Sequence, residues 1–138
     1  MKKYFTLLLA TSLVSTAALA EIQVQNLWVR PSTGSNTAAY MKLINPSNKD
    51  VYLTDVYSPV SASGELHEIS DIGTGMHMEK ISTIRIPTNG DIALMPGKTH
   101  VMLMNIKDGP LTEGKTVPLT LVFSNGEELQ LLAPVKAQ

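Results

Sequence analysis

Leu119-Thr120-Leu121-Val122-Phe123 and Leu129-Gln130-Leu131, separated by Ser124-Asn125-Gly126-Glu127-Glu128, form the stretch that decides the fold. Two apolar runs on either side of an Asn-Gly pair predict a β-hairpin. The predicted connection is a type I′ turn, which needs positive φ at both central residues, Asn125 and Gly126. The same punctuation recurs along the chain. Pro31-Ser32-Thr33-Gly34, Asn45-Pro46-Ser47, Gly73-Thr74-Gly75, Asn89-Gly90, Pro96-Gly97 and Asp108-Gly109-Pro110 are further turn signals. Between them lie short apolar runs: 22–29, 38–44, 51–57, 65–69, 76–81, 84–86, 92–95, 100–106, 117–123 and 128–133. No helical stripe of useful length follows Glu21. Strand signals spaced about 8–12 residues apart predict a single all-β domain, an antiparallel sandwich or Greek-key barrel.

Composition narrows the function. The 138 residues carry 11 basic and 12 acidic side chains, for a net charge of −1, with no basic run. No nucleic-acid partner is expected, because such proteins present an electropositive face. Zero Cys excludes disulfide scaffolds, thiolate zinc and iron–sulfur sites, thiol catalysis and thiolate blue copper. No nucleophile elbow, phosphate-cradling glycine loop or zinc-binding helix motif is present, so the protein is not expected to be an enzyme. Glu65 and Glu68 flank His67 but point to opposite faces of a strand, which does not make an acid/base pair.

Residues 1–20 read as an exported leader: Met1-Lys2-Lys3, an apolar stretch from Phe5 to Leu19 interrupted by Thr and Ser, then Ala18-Leu19-Ala20. The stretch is shorter than the roughly 20 continuous apolar residues of a membrane span. Cleavage after Ala20, export to the periplasm and no stable membrane insertion are expected. No cysteine near the cut is available for lipid attachment. The mature domain, residues 21–138, keeps 9 basic and 12 acidic residues, a net charge of −3.

The chemistry concentrates in four residues. His100 and Met102 are two apart on a strand and share a face, roughly 6.5–7 Å from one another. A tight turn over Asp71 to Thr74 would set His67 opposite Met78, with Cβ atoms roughly 4.5–5.5 Å apart. Two imidazoles and two thioethers then converge, a donor set suited to Cu(I) and poor for Mg²⁺ or Ca²⁺. On residue chemistry alone a second reading stands beside this one, in which the methionines fill gaps in a core. Met76 and Met104 lie two residues from Met78 and Met102 and are expected to form an apolar collar. His77 is expected on the opposite face, in solvent. Trp28 is expected to anchor the core, Met41 and Met95 to serve packing or loop roles, and Arg30 to pair with a carboxylate.

The spacing His67-x10-Met78-x21-His100-x-Met102 resembles the motif of the PCuAC family of periplasmic copper chaperones. Trp28-Val29-Arg30-Pro31, Ala38-Ala39-Tyr40-Met41, Glu65-Leu66-His67-Glu68, Met95-Pro96-Gly97, His100-Val101-Met102-Leu103-Met104 and Glu113 to Leu121 extend the likeness over nearly all of residues 21–135. The resemblance implies a cupredoxin-like β-barrel. It also implies one Cu(I) per chain, held by His67, Met78, His100 and Met102. The implied recipient is the apo copper centre of a cytochrome oxidase subunit or another periplasmic copper carrier, with the chaperone acting as a monomer. A copper-resistance or storage protein would need the same ligands and stands as the alternative. Some relatives bind Cu(II) through a His/Met-rich C-terminal tail. Leu131 to Gln138 contains no such residues, so a single site is expected.

Overall fold

Alternation along Val117, Leu119, Leu121 and Phe123 buries all four, while Thr116, Pro118, Thr120 and Val122 face outward. That period of two is the signature of a strand packed on one face only. The computed structural model describes residues 21–71 and 73–138. The leader and the cleavage site expected within residues 1–20 lie outside the described residues. Ten strands follow one another: β1 (Gln23–Val29), β2 (Thr37–Asn45), β3 (Val51–Tyr57), β4 (Ser61–Asp71), β5 (Met76–Ile81), β6 (Ile84–Ile86), β7 (Gly90–Leu94), β8 (His100–Ile106), β9 (Thr116–Phe123) and β10 (Glu128–Pro134). Among the described residues no helix is long and apolar enough to cross a membrane.

Two antiparallel sheets form the sandwich. One runs β1-β2-β8-β4-β5, with β7 continuing the β8 edge of β2; the other runs β10-β9-β3-β6. The non-consecutive neighbours β2/β8 and β3/β9 are crossovers that tie the sheets together. The chain is the expected all-β, cupredoxin-like domain. Leu43, Val101 and Leu103 from the first sheet meet Leu53, Ile86, Val117 and Leu121 from the second, all fully buried. Each such side chain is worth about 1.5–3 kcal/mol of transfer free energy.

Two local expectations need correction. The β9–β10 hairpin forms, but not through a type I′ turn. Phe123 N–H donates to the Glu127 carbonyl at 2.9 Å and Gly126 N–H to the Phe123 carbonyl at 3.0 Å, leaving three residues in the loop. Gly126 alone takes the left-handed conformation, φ 89°. The Asn125 side chain instead accepts from Glu127 N–H at 2.9 Å, stabilising the loop without a positive φ at Asn125. β4 also begins at Ser61, four residues before the apolar run suggested. Gly64 allows this, because a Cβ there would run into the carbonyl and side chain of Val56 on β3.

Candidate metal centre

His67 and His100 are directly opposed across β4 and β8, and Glu65 is opposed to Met102. Opposed residues share a face, so β4 contributes Glu65, His67 and Ile69 to the surface on which β8 places His100 and Met102. Leu66, Val101 and Leu103 point the other way, into the core. The expected donors therefore stand on the outer face of the six-stranded sheet, with the hydrophobic core behind them.

The β4–β5 pairing differs from expectation. Met78 pairs with Ile69, and Lys80 stands opposite His67. The hairpin closes between Asp71 and Met76 rather than tightly over residues 71–74, because Gly73 and Gly75 both adopt left-handed conformations (φ 90° and 123°). The shift moves Met78 two positions toward the hairpin tip. An even shift preserves parity, so Met78 keeps the face of His67 but becomes its diagonal neighbour, typically about 7–8 Å away. His77, opposed to Ser70, projects to the other face and is exposed.

The outer face is partly roofed. Residues 30–36 are pinned by Arg30 N–H to the Ala38 carbonyl (3.0 Å), Thr37 Oγ1 to the Arg30 carbonyl (2.7 Å) and Ser32 N–H to the Leu111 carbonyl (2.9 Å). On another side, Met95-Pro96-Gly97-Lys98 turns with Lys98 N–H donating to the Met95 carbonyl at 2.9 Å and Gly97 at φ 82°. Pro followed by a left-handed Gly defines a type II turn. Between these loops and β5 lies a cavity of about 250 Å³ whose wall includes Arg30, Tyr40, Ile69, Met78, His100 and Met102. Three of the four expected donors line it. His67 does not.

The imidazoles are held differently. His100 is 3% exposed and donates Nδ1–H to the Lys98 carbonyl at 2.7 Å, which leaves the Nε2 lone pair free. Burial, with smaller contributions from His67 and Arg30, holds its pKa below the usual value despite the Lys98 bond. That shift favours the neutral ring, the form that can ligate a metal. The His67 ring lies 5.7 Å from that of His100, and its Nε2–H donates to Glu65 Oε1 at 2.8 Å. His67 Nδ1 is buried and has no hydrogen-bond partner. The hydrogen bond from His67 lowers the pKa of Glu65, and Lys80 Nζ lies 3.7 Å from its other oxygen.

Tyr40, beyond the expected set, extends the site. Its ring lies 6.2 Å from that of His100 and 4.7 Å from Trp28, continuing an aromatic row across β1, β2, β8 and β4. Trp28 thus stacks on the outer face instead of anchoring the core; its neighbour Val29 is the buried residue. Arg30 is not paired with a carboxylate among the described residues. Its guanidinium lies over the Tyr40 ring at 5.2 Å, a cation–π distance. Met41 packs in the core, and Met95 is 44% exposed; both line a second cavity of about 200 Å³ beside Trp28. Met76, at 68% exposure, packs too little to form an apolar collar.

The sequence reading assigns Glu65 no part in the site, although its place two residues from His67 puts it on the same strand face. Among the described residues no group of three His, Cys, Asp or Glu side chains is placed to hold a metal. The thioethers of Met78 and Met102 share this face with the two imidazoles, and thioether sulfur is a donor suited to a soft ion.

An all-β sandwich of two antiparallel sheets with this topology defines the class as cupredoxin-like domains. Residues 22–135 match the family described as "Putative lipoprotein LpqE-like", which is the PCuAC family, and the chain belongs to it. It is 33% identical over 116 residues to the "Putative lipoprotein Lxx21020" of Leifsonia xyli subsp. xyli, covering 83% of this chain and 69% of that one. It is 28% identical to the uncharacterized protein RP573 of Rickettsia prowazekii, spanning 64% of that relative's length. Among solved structures, the copper-bound PCuAC domain from PmoF2 superposes with a TM-score of 0.73 at 24% identity, covering 88% of this chain and 97% of that one. The Cu(I) form of DR1885 from Deinococcus radiodurans gives a TM-score of 0.62 at 32% identity, covering 88% of this chain and 83% of that one. The family's lipoprotein name fits an exported protein.

Proposed function

We propose that the protein is a periplasmic copper chaperone that carries one Cu(I) on His67, Met78, His100 and Met102. In this reading it delivers the ion to the copper centre of a respiratory cytochrome oxidase, after removal of residues 1–20. The observation that carries this reading is the opposed pair His67/His100 with Met78 and Met102 on the same sheet face. The buried orphan nitrogen of His67 adds to it, because an unpaired buried acceptor is costly unless something fills it. The copper-bound state of the PmoF2 domain and the Cu(I) state of DR1885 support the same cargo.

The donor set suits carriage. All four donors are neutral, so the ion keeps its single charge and no thiolate locks it in place. His100 and His67 are buried, whereas Met78 is 48% exposed at the cavity wall. A recipient's ligand can displace the exposed thioether first while the two imidazoles hold the ion. Exchange then proceeds one donor at a time.

The test is metal analysis and X-ray absorption on exported protein loaded anaerobically with Cu(I), followed by transfer to an apo oxidase copper-centre fragment. One copper per chain with sulfur and nitrogen scatterers, passed on to the fragment, is the expected result. Tight zinc binding with no sulfur around the metal would overturn the cargo. Copper that binds but never transfers would turn the reading to storage.

A further inference from the structure

The two imidazoles lie on one face but are tethered through different ring nitrogens. His100 gives its Nδ1 proton to a backbone carbonyl, which can only accept, so its lone pair is on Nε2. His67 gives its Nε2 proton to Glu65, and its Nδ1 is left buried and unpartnered. An ionised carboxylate can only accept a hydrogen bond, so this partner also fixes one tautomer. Glu65 is anchored in turn. It sits on β4 opposite Met102, its second oxygen lies 3.7 Å from Lys80 Nζ, and Lys80 stands opposite His67 on β5. Hydrogen-bonded partners of this kind orient ligating imidazoles and raise their basicity.

We propose that Glu65 is a positioning residue for His67, holding the Nε2 proton so that His67 meets the cargo ion through Nδ1 while His100 meets it through Nε2. This rests on the copper reading above and adds to it a mixed pair of imidazole donors and a nearby anion. The carboxylate places one negative charge beside a site whose own donors are neutral, which favours a cation there. For His67 to bind through Nε2 instead, the 2.8 Å bond to Glu65 would have to break.

Nitrogen-15 NMR of the histidine rings tests this in the exported protein, first without metal and then loaded with Cu(I). Without metal, His67 should show an Nε2–H proton protected from exchange by its carboxylate partner, and Glu65→Leu should abolish that protection. On loading, the coordination shift should fall on Nδ1 of His67 and on Nε2 of His100. Glu65→Leu should weaken Cu(I) binding by roughly 10–100-fold, the usual cost of losing a ligand's supporting partner. Glu65→Gln, whose amide oxygen can still accept the proton, should recover part of the loss. A coordination shift on Nε2 of His67 would overturn the proposal while leaving the copper reading intact. Failure to bind Cu(I) with the protected Nε2–H still present would overturn the copper reading and leave the Glu65–His67 tether standing.

Discussion

His67 and His100 face one another across adjacent antiparallel strands with ring centroids 5.7 Å apart, yet neither ring donates to the other. Each spends its proton on a partner two residues back in the chain: Glu65 on β4 for His67, the carbonyl of Lys98 in the turn before β8 for His100. Both rings are thereby left with a lone pair uncommitted. Replacing either by Ala should weaken Cu(I) binding by more than the roughly 10–100-fold typical of losing a supporting partner. His77→Ala should leave affinity unchanged, because that ring leaves the opposite face of β5. Competition against a chromophoric Cu(I) chelator measures all three; loss at His77 with retention at His100 would displace the site.

The methionines of β5 separate in the same assay. Met78 lines the cavity, whereas Met76 is more exposed and does not reach its wall. Met78→Leu should lower Cu(I) affinity markedly and remove a sulfur scatterer from the absorption spectrum. Met76→Leu should do neither.

Gly64 tests the packing of β4 on β3. Gly64→Ala adds a Cβ that meets the carbonyl and side chain of Val56, and backbone cannot rotate away as a side-chain tip can. Destabilisation of about 1–3 kcal/mol is expected, in the range of overpacked cores. Gly34→Ala is the control: nothing lies within 4 Å of its added Cβ, and its stability should be unchanged. Urea unfolding followed by circular dichroism reads both.

Acid stability should depend on Asp50. Its carboxylate accepts from Arg85 Nε at 2.8 Å and from Thr88 N–H at 2.9 Å and Oγ1 at 3.0 Å, and these bonds lower its pKa from 3.8 to about 2. A carboxylate depressed in the folded state contributes stability above its unfolded pKa and loses it as pH falls through the folded one. Melting temperature should therefore drop between about pH 4 and pH 2 partly through Asp50. Asp50→Asn should melt lower than wild type at neutral pH, with a shallower decline across that interval. An unchanged acid limb would remove Asp50 from the account.

Much of this was legible in the residues, and the misses have physical causes. Each of the ten strands coincides with an apolar run, and all the boundaries but the Ser82-Thr83 break between β5 and β6 carry a Gly, Pro or Asn turn signal. Parity along β8 places His100 and Met102 on one face, and Met78 stays on that face because the β4–β5 register differs from expectation by two residues, an even shift. What the residues conceal is loop geometry. Gly73 and Gly75 widen the β4–β5 connection and move Met78 from His67 to Ile69. Asn125 satisfies its turn through its side chain instead of a left-handed backbone. Trp28 resembles a core residue because the sequence does not show that the outer face of this sheet is itself roofed. Residues 30–36 bury Tyr40 and His100 on the side an isolated sheet would leave to water.

The placement of the site on the outer face, with the sandwich interior behind it, has a consequence for the life of the protein in the cell. Losing the exposed Met78 thioether removes no support from the interior, so a variant deprived of it should still fold. Envelope proteases that recognise unfolded chains would spare it. If the protein is the copper carrier proposed above, such a variant would be an intact but empty carrier, competing with loaded molecules for the same recipient. Genetically, it should interfere with the normal protein in proportion to its abundance, whereas a chain broken at Gly64 should simply disappear.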